Sequence, residues 1–119
     1  KDYGLETQAI LNLDPNQFKQ ALLNILLNAV EAMPTGGIIT VTTRPSSDLQ
    51  YGLIKIQDTG CGIKNEDITH IFDPFFTKKD RGTGLGLSIT YEIVRGHQGK
   101  IFAESEEYRG TAFVIELPL

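Results

Sequence analysis

Gln17, Gln20, Asn24, Asn28 and Glu31 recur at intervals of three and four residues, the spacing that aligns side chains along one face of a helix. Phe18, Leu22, Ile25, Leu26 and Ala29 flank this polar stripe on one side; Leu23, Leu27 and Val30 flank it on the other. Apolar residues on both flanks predict a substantially buried helix, in which an unpartnered carboxamide is costly. Taken alone, the stripe reads first as a solvent face, since polar stripes usually meet water. Two central asparagines, modest helix formers, argue instead for a task. A carboxamide oxygen is a good hard ligand for Mg²⁺.

A second segment is Asp58-Thr59-Gly60-Cys61-Gly62-Ile63. Period-two alternation puts Ile54, Ile56 and Asp58 on one buried strand face. A carboxylate ending an apolar row before a glycine-rich turn suits an amine such as the 6-amino group of adenine. The same pattern also describes an aspartate that merely opens a turn through its own backbone bonds. Thr111 shares a face with Phe113, Ile115 and Leu117, so it lines a pocket with Asp58 if the two strand ends meet. An ordinary β-branched strand residue gives that pattern too.

The run Gly82-Thr83-Gly84-Leu85-Gly86-Leu87 leads straight into a helical stretch. Glycines let backbone N–H groups approach phosphate oxygens, and a helix N-terminus favours an anion. The run matches neither the dinucleotide fingerprint nor the P-loop. Lys78, Lys79 and Arg81 precede it, placed either to reach terminal phosphates or simply to be solvated.

These groups need elements to hold them. Residues 8–13 read as a strand. Asp14-Pro15-Asn16-Gln17 carries an N-cap, a proline at the first helical position and a capping-box glutamine, so a helix is predicted from there to about Met33, stopped by Pro34 and Gly36-Gly37. Strands are predicted over 38–44 and 53–58, and a short amphipathic helix over 65–72 from Ile68, Ile71 and Phe72. Residues 73–84 lack periodicity and read as a loop. A second long helix over 85–95, with Leu85, Ile89 and Ile93 on one stripe, ends at Gly96 as C-cap. A hairpin of 101–106 and 111–117 closes the chain. The order predicts an α+β fold, a two-layer α/β sandwich with about three helices on one face of a mixed, mostly antiparallel sheet.

Composition narrows the function. A chain with 40% apolar and 22% charged residues fits one globular domain, here 1–119. A net charge of −4 argues against a nucleic-acid partner, which needs a basic face. Cys61 is the sole cysteine, which excludes an internal disulfide and suits a reducing compartment. Residues 21–30 form the most apolar stretch, too short for a membrane span and interrupted by two asparagines. A soluble, cytoplasmic domain is expected, whatever anchors its parent protein.

Together these blocks resemble the catalytic domain of sensor histidine kinases, within the wider Bergerat-fold ATPase group that includes gyrase and MutL. The segment from Gln20 to Met33 looks like that family's N box, Asp58 to Ile63 its first glycine box, Phe72-Asp73-Pro74-Phe75-Phe76 its F box, and Gly82 to Leu87 its second glycine box. The wording around Asn28-Ala29-Val30-Glu31 and Phe76-Thr77-Lys78 is most similar to the nitrogen-regulation and sporulation type of kinase.

The resemblance implies that the domain binds ATP with Mg²⁺ and donates the γ-phosphate to a histidine. Asn28 would supply an oxygen to Mg²⁺ and Asn24 would assist in the phosphate site, with Lys78 as a γ-phosphate contact; these three are the catalytic candidates. Asp58 would bind the adenine amine, completed by Gly60, Gly62 and Thr111, with apolar contact from Ile63, Ala32 and Met33. Phe72, Thr77, Gly82, Thr83, Gly84, Leu85, Gly86 and Leu87 complete the expected nucleotide contacts, largely from an ATP lid spanning 73–84. Partners implied are the kinase's histidine-containing dimerisation domain and, through the full-length protein, a response regulator. The phosphoacceptor helices are expected to be absent: neither His70-Ile71 nor His97-Gln98 resembles that site, where an acidic residue usually follows. The family's first strand looks partly truncated, and Glu31 stands where many relatives carry a lysine. Hydrolytic relatives typically use a glutamate at the Asn24 position, so asparagine there favours transfer over hydrolysis. A non-catalytic nucleotide-binding scaffold is the remaining alternative.

Overall fold

Asp14 holds the chain extended (φ −82°, ψ 109°), and its carboxylate accepts from the backbone N–H groups of Asn16 and Gln17. Helix α1 (Pro15–Glu31) starts there because Pro15 has no N–H to leave unsatisfied. It ends two residues before Met33, with Ala32 as its C-cap. The computed structural model describes residues 13–76 and 86–119, so the expected first strand falls outside the described residues except for Leu13.

Strands β1 (Ile39–Pro45) and β2 (Tyr51–Asp58) follow, then helix α2 (Gly86–Gly96), and finally β3 (Lys100–Glu106) and β4 (Gly110–Pro118). The four strands make one sheet in the order β1-β2-β4-β3, and every described pair is antiparallel. Register fixes the core. Val41 faces Ile56, Ile56 faces Phe113, Ile54 faces Ile115, and Ile115 also faces Ile101. Val41, on the edge strand, is exposed, while Ile54, Ile56, Ile101, Phe113 and Ile115 meet Phe18 and Ile25 of α1 and Val94 of α2 in one cluster. Phe113, Ile115 and Leu117 are almost wholly buried, each contributing roughly 1.5–3 kcal/mol relative to an exposed position.

Four local expectations need correction. Residues 65–72 form successive turns rather than a helix, with bonds such as His70 N–H to Asp67 C=O and Asp73 N–H to His70 C=O. So short a segment gains too few bonds to offset helix nucleation, yet Ile71 is still buried, as its spacing required. The described residues therefore carry two helices on the sheet. Leu23, Leu27 and Val30 are half exposed (52%, 50% and 56%), so α1 buries one apolar flank and not both.

On α2 the buried face carries Thr90, Ile93 and Val94, while Ile89 is turned outward. Thr90 is drawn in because its hydroxyl bonds the Gly86 carbonyl at 2.9 Å. Gly96 stays inside the helix; the left-handed residue is Gln98 (φ 59°), with Gln98 N–H bonding Arg95 C=O and Gly99 N–H bonding Val94 C=O. That pair of bonds is the Schellman closure, moved two residues on. His97 in this corner accepts from Asp14 N–H at 2.9 Å and contacts Ile93 C=O at 2.8 Å through its other ring nitrogen, tying the end of α2 to the start of α1. Among the described residues no helix is long and apolar enough to cross a membrane.

Candidate functional site

The ends of β2 and β4 meet at Asp58 and Thr111, as strand alternation predicted. Asp58 is 3% exposed and Thr111 4%. One carboxylate oxygen, Oδ1, accepts from Gly60 N–H at 2.8 Å and from Thr111 N–H at 3.3 Å. The turn-opening role of Asp58 is thus real, but it uses one oxygen only. Among the described residues Oδ2 is left as the acceptor available to a ligand.

The turn after Asp58 is clasped from two sides. Cys61 N–H bonds the carbonyl of Ala32 at 3.1 Å, and a Cβ on Gly60 would collide with Ala32. On the other side Tyr108 N–H bonds Cys61 C=O at 2.6 Å, and Ile63 N–H bonds Ser105 Oγ at 2.7 Å. Gly62 has φ +74°, and a Cβ there would strike the backbone of Glu106. Its lack of a side chain serves the hairpin contact, so the turn sits hard against the β3–β4 loop. Ala32, Met33 and Ile63 around it are half-buried and offer apolar surface; Thr59 Oγ1 donates to Met33 Sδ at 3.5 Å.

The other end of the site lies along α1. Asn24 and Asn28, both half-buried, stand one turn apart. Asn24 Nδ2 donates to the carbonyl of Gly86 at 3.1 Å, which brings the N-terminus of α2 against α1 and points the amide oxygen away from that carbonyl. At 1.5 Å rise per residue, Asn24 is about 12 Å along the helix from Ala32, the scale of an extended nucleotide. A buried acceptor at one end and a helix N-terminus at the other suit an amine-bearing, anionic ligand.

Other predicted contacts are distributed less simply. Leu87 is partly buried against the core. The Phe72 ring packs on Tyr91 at 5.5 Å and edge-on to Phe113 at 6.2 Å. Thr77, Lys78, Gly82, Thr83, Gly84 and Leu85 lie outside the described residues, as does the C-terminal part of the expected lid. His70 sits in the turn segment beside Asp73 at 3.1 Å, and neither histidine borders Asp58 or Asn24 through any described bond. Ser105 was missed. Its signal was present in the alternation Ile101, Ala103, Ser105, which puts a hydroxyl at the polar end of an inner face, opposite Thr111 in register.

The chain matches, over residues 13–119, the family described as histidine kinase-, DNA gyrase B-, and HSP90-like ATPase. It is 48% identical over 106 residues to sporulation kinase E of Bacillus subtilis (strain 168), covering 89% of this chain and 14% of that protein. Among solved structures it is similar to a nucleotide-free catalytic domain of the histidine kinase ThkA, at 38% identity and a TM-score of 0.79, covering 91% of this chain and 70% of that one. It is also similar to full-length ShkA in complex with AMPPNP, at 28% identity and a TM-score of 0.77, covering 88% of this chain and 22% of that one. The chain therefore spans only a small part of the full-length kinases it matches.

Proposed function

Because the chain belongs to the family of histidine kinase-, DNA gyrase B- and HSP90-like ATPases, we propose that it binds Mg-ATP and donates the γ-phosphate to a histidine on a separate helical dimerisation domain. The observation that carries this reading is Asp58, a buried carboxylate whose Oδ1 is committed to backbone while Oδ2 remains to accept from an adenine amine. The AMPPNP complex of full-length ShkA, an ATP analogue on a similar fold, supports it.

In this reading Asp58 and Thr111 hold the base, with Ala32, Met33 and Ile63 as its apolar walls. Asn24 and the N-terminus of α2 orient the phosphates; Gly84, Leu85, Gly86 and Leu87 add backbone N–H donors, and Lys78 contacts the γ-phosphate. When bound, Mg²⁺ neutralises charge on the phosphates, and the Asn28 carboxamide oxygen is its proposed protein ligand. Positioning of the γ-phosphate for in-line attack is the main catalytic work left to the chain. Asn24 cannot take a proton from water at neutral pH, which supports transfer over hydrolysis. The histidine and the downstream response regulator belong to the rest of a full-length kinase, with this domain on the cytoplasmic side where ATP is available.

Incubating the chain with radiolabelled ATP, Mg²⁺ and a histidine-bearing helical domain tests the reading. The expected result is slow hydrolysis by the chain alone, no self-labelling, and an acid-labile, base-stable phosphohistidine on the added domain. Rapid multiple-turnover hydrolysis would instead indicate an ATPase, and tight ATP binding without transfer to the cognate helices a scaffold.

A further inference from the structure

Ser105 lies on β3 opposite Thr111, and its hydroxyl meets three groups: Ile63 N–H at 2.7 Å, Gly110 C=O at 2.9 Å and the Thr111 hydroxyl at 2.9 Å. A hydroxyl offers one hydrogen and two lone pairs. A backbone N–H only donates, so Ile63 occupies one lone pair. A carbonyl only accepts, so Gly110 takes the hydrogen. The second lone pair is all that Thr111 can use, and Thr111 must therefore be the donor. The opposite assignment would deprive the buried Gly110 carbonyl of the Ser105 hydrogen, a loss that buried acceptors resist.

With its own hydrogen consumed, Thr111 presents only lone pairs to a ligand. Asp58 beside it presents a carboxylate oxygen. We propose that Ser105 is a positioning residue for base selection: by fixing the hydroxyl rotor of Thr111 it makes the base edge of the site acceptor-only. Such an edge accepts a purine with an amino group at the 6-position and repels one with an oxo group there. The inference rests on the nucleotide reading above and adds the residue that enforces its specificity without reaching the ligand.

The test measures binding of ADP and IDP, which differ as amino and oxo at that position, by calorimetry on the 119-residue chain. The same titrations are run on Ser105→Ala, Thr111→Val and the double variant. The chain should prefer ADP. Ser105→Ala frees Thr111 to donate, so the ADP-to-IDP affinity ratio should fall about five-fold, the scale of one net hydrogen bond. Thr111→Val should also lower the ratio, and adding Ser105→Ala to it should change the ratio no further. A general loosening of the Ile63 turn would weaken both nucleotides alike and persist in the double variant, which would overturn the proposal. An unchanged ratio in Thr111→Val, which disturbs neither Ile63 nor Gly110, would overturn it even if Ser105→Ala does not fold. A chain that binds neither nucleotide would defeat the nucleotide reading itself; ADP preference with unchanged ratios defeats only the role of Ser105.

Discussion

Gly110 (φ +116°) sits so close to Asp58 that a Cβ on it would collide with the Asp58 backbone carbonyl. The backbone of the β4 start and the backbone of the β2 end are thus in direct contact. This contact is what lets the Thr111 N–H reach the Asp58 carboxylate. Base recognition in the proposed site depends on that approach as much as on either side chain.

Asp58→Asn keeps the shape and can keep Oδ1 on the backbone donors, which turns an NH₂ toward the base. ADP affinity should fall by about 1.5–3 kcal/mol, the worth of a hydrogen bond to a charged group. Calorimetry showing unchanged affinity would remove Asp58 from the site.

Gly62→Ala should weaken both the fold and the site. The added methyl meets the Glu106 backbone at a left-handed φ, a cost on the order of 2 kcal/mol. The melting temperature and ADP affinity should drop together, because the displaced turn carries Ile63 away from Ser105. A variant with wild-type melting and binding would show that the clasp between turn and hairpin is dispensable.

Asn28→Ala separates metal from base. Nucleotide titrations with Mg²⁺ should weaken about ten-fold or more, the loss of a charge-linked oxygen contact, while titrations in EDTA should change little. Equal losses in both would contradict the metal role.

One pH effect lies away from the site, in the turn between β1 and β2. The Ser46 hydroxyl at 2.6 Å, and then the Gln50 N–H, hold the Asp48 carboxyl below its ordinary value of 3.8. A depressed carboxylate stabilises the turn above its unfolded value and loses that contribution as the pH drops through the folded one, below 3.8. Protection of the Gln50 and Tyr51 amides, measured against their intrinsic exchange rates, should therefore fall on acidification through that range, and Asp48→Asn should abolish the dependence. A turn equally protected at all pH values would show that the carboxylate does not hold it.

The sequence was most legible where a local rule and a tertiary demand coincide. Asp14-Pro15 marked the start of α1, and alternation in β2 and β4 placed Asp58 and Thr111 inward, because period-two geometry leaves a strand no other choice. It was less legible where tertiary packing decides. Nothing local tells whether Leu23, Leu27 and Val30 will find a cover, nor whether residues 65–72 will complete a helix. The end of α2 was misplaced because Gln98, not Gly96, takes the left-handed position that usually attracts glycine. Ser105 was overlooked for a similar reason: its importance lies in three partners, none of them on its own strand.

The bonds that build the base end join residues far apart in the chain: Asp58 and Thr111 are 53 positions apart, and Ile63 and Ser105 are 42. Contacts of such separation carry the largest loop-closure cost and tend to form after the local helices and hairpins. On that ordering, a nucleotide in the proposed site would bind a region completed late in folding and opened early in unfolding. A ligand held there should retard unfolding while leaving the refolding rate nearly unchanged, so occupancy would extend the lifetime of the folded domain rather than hasten its formation.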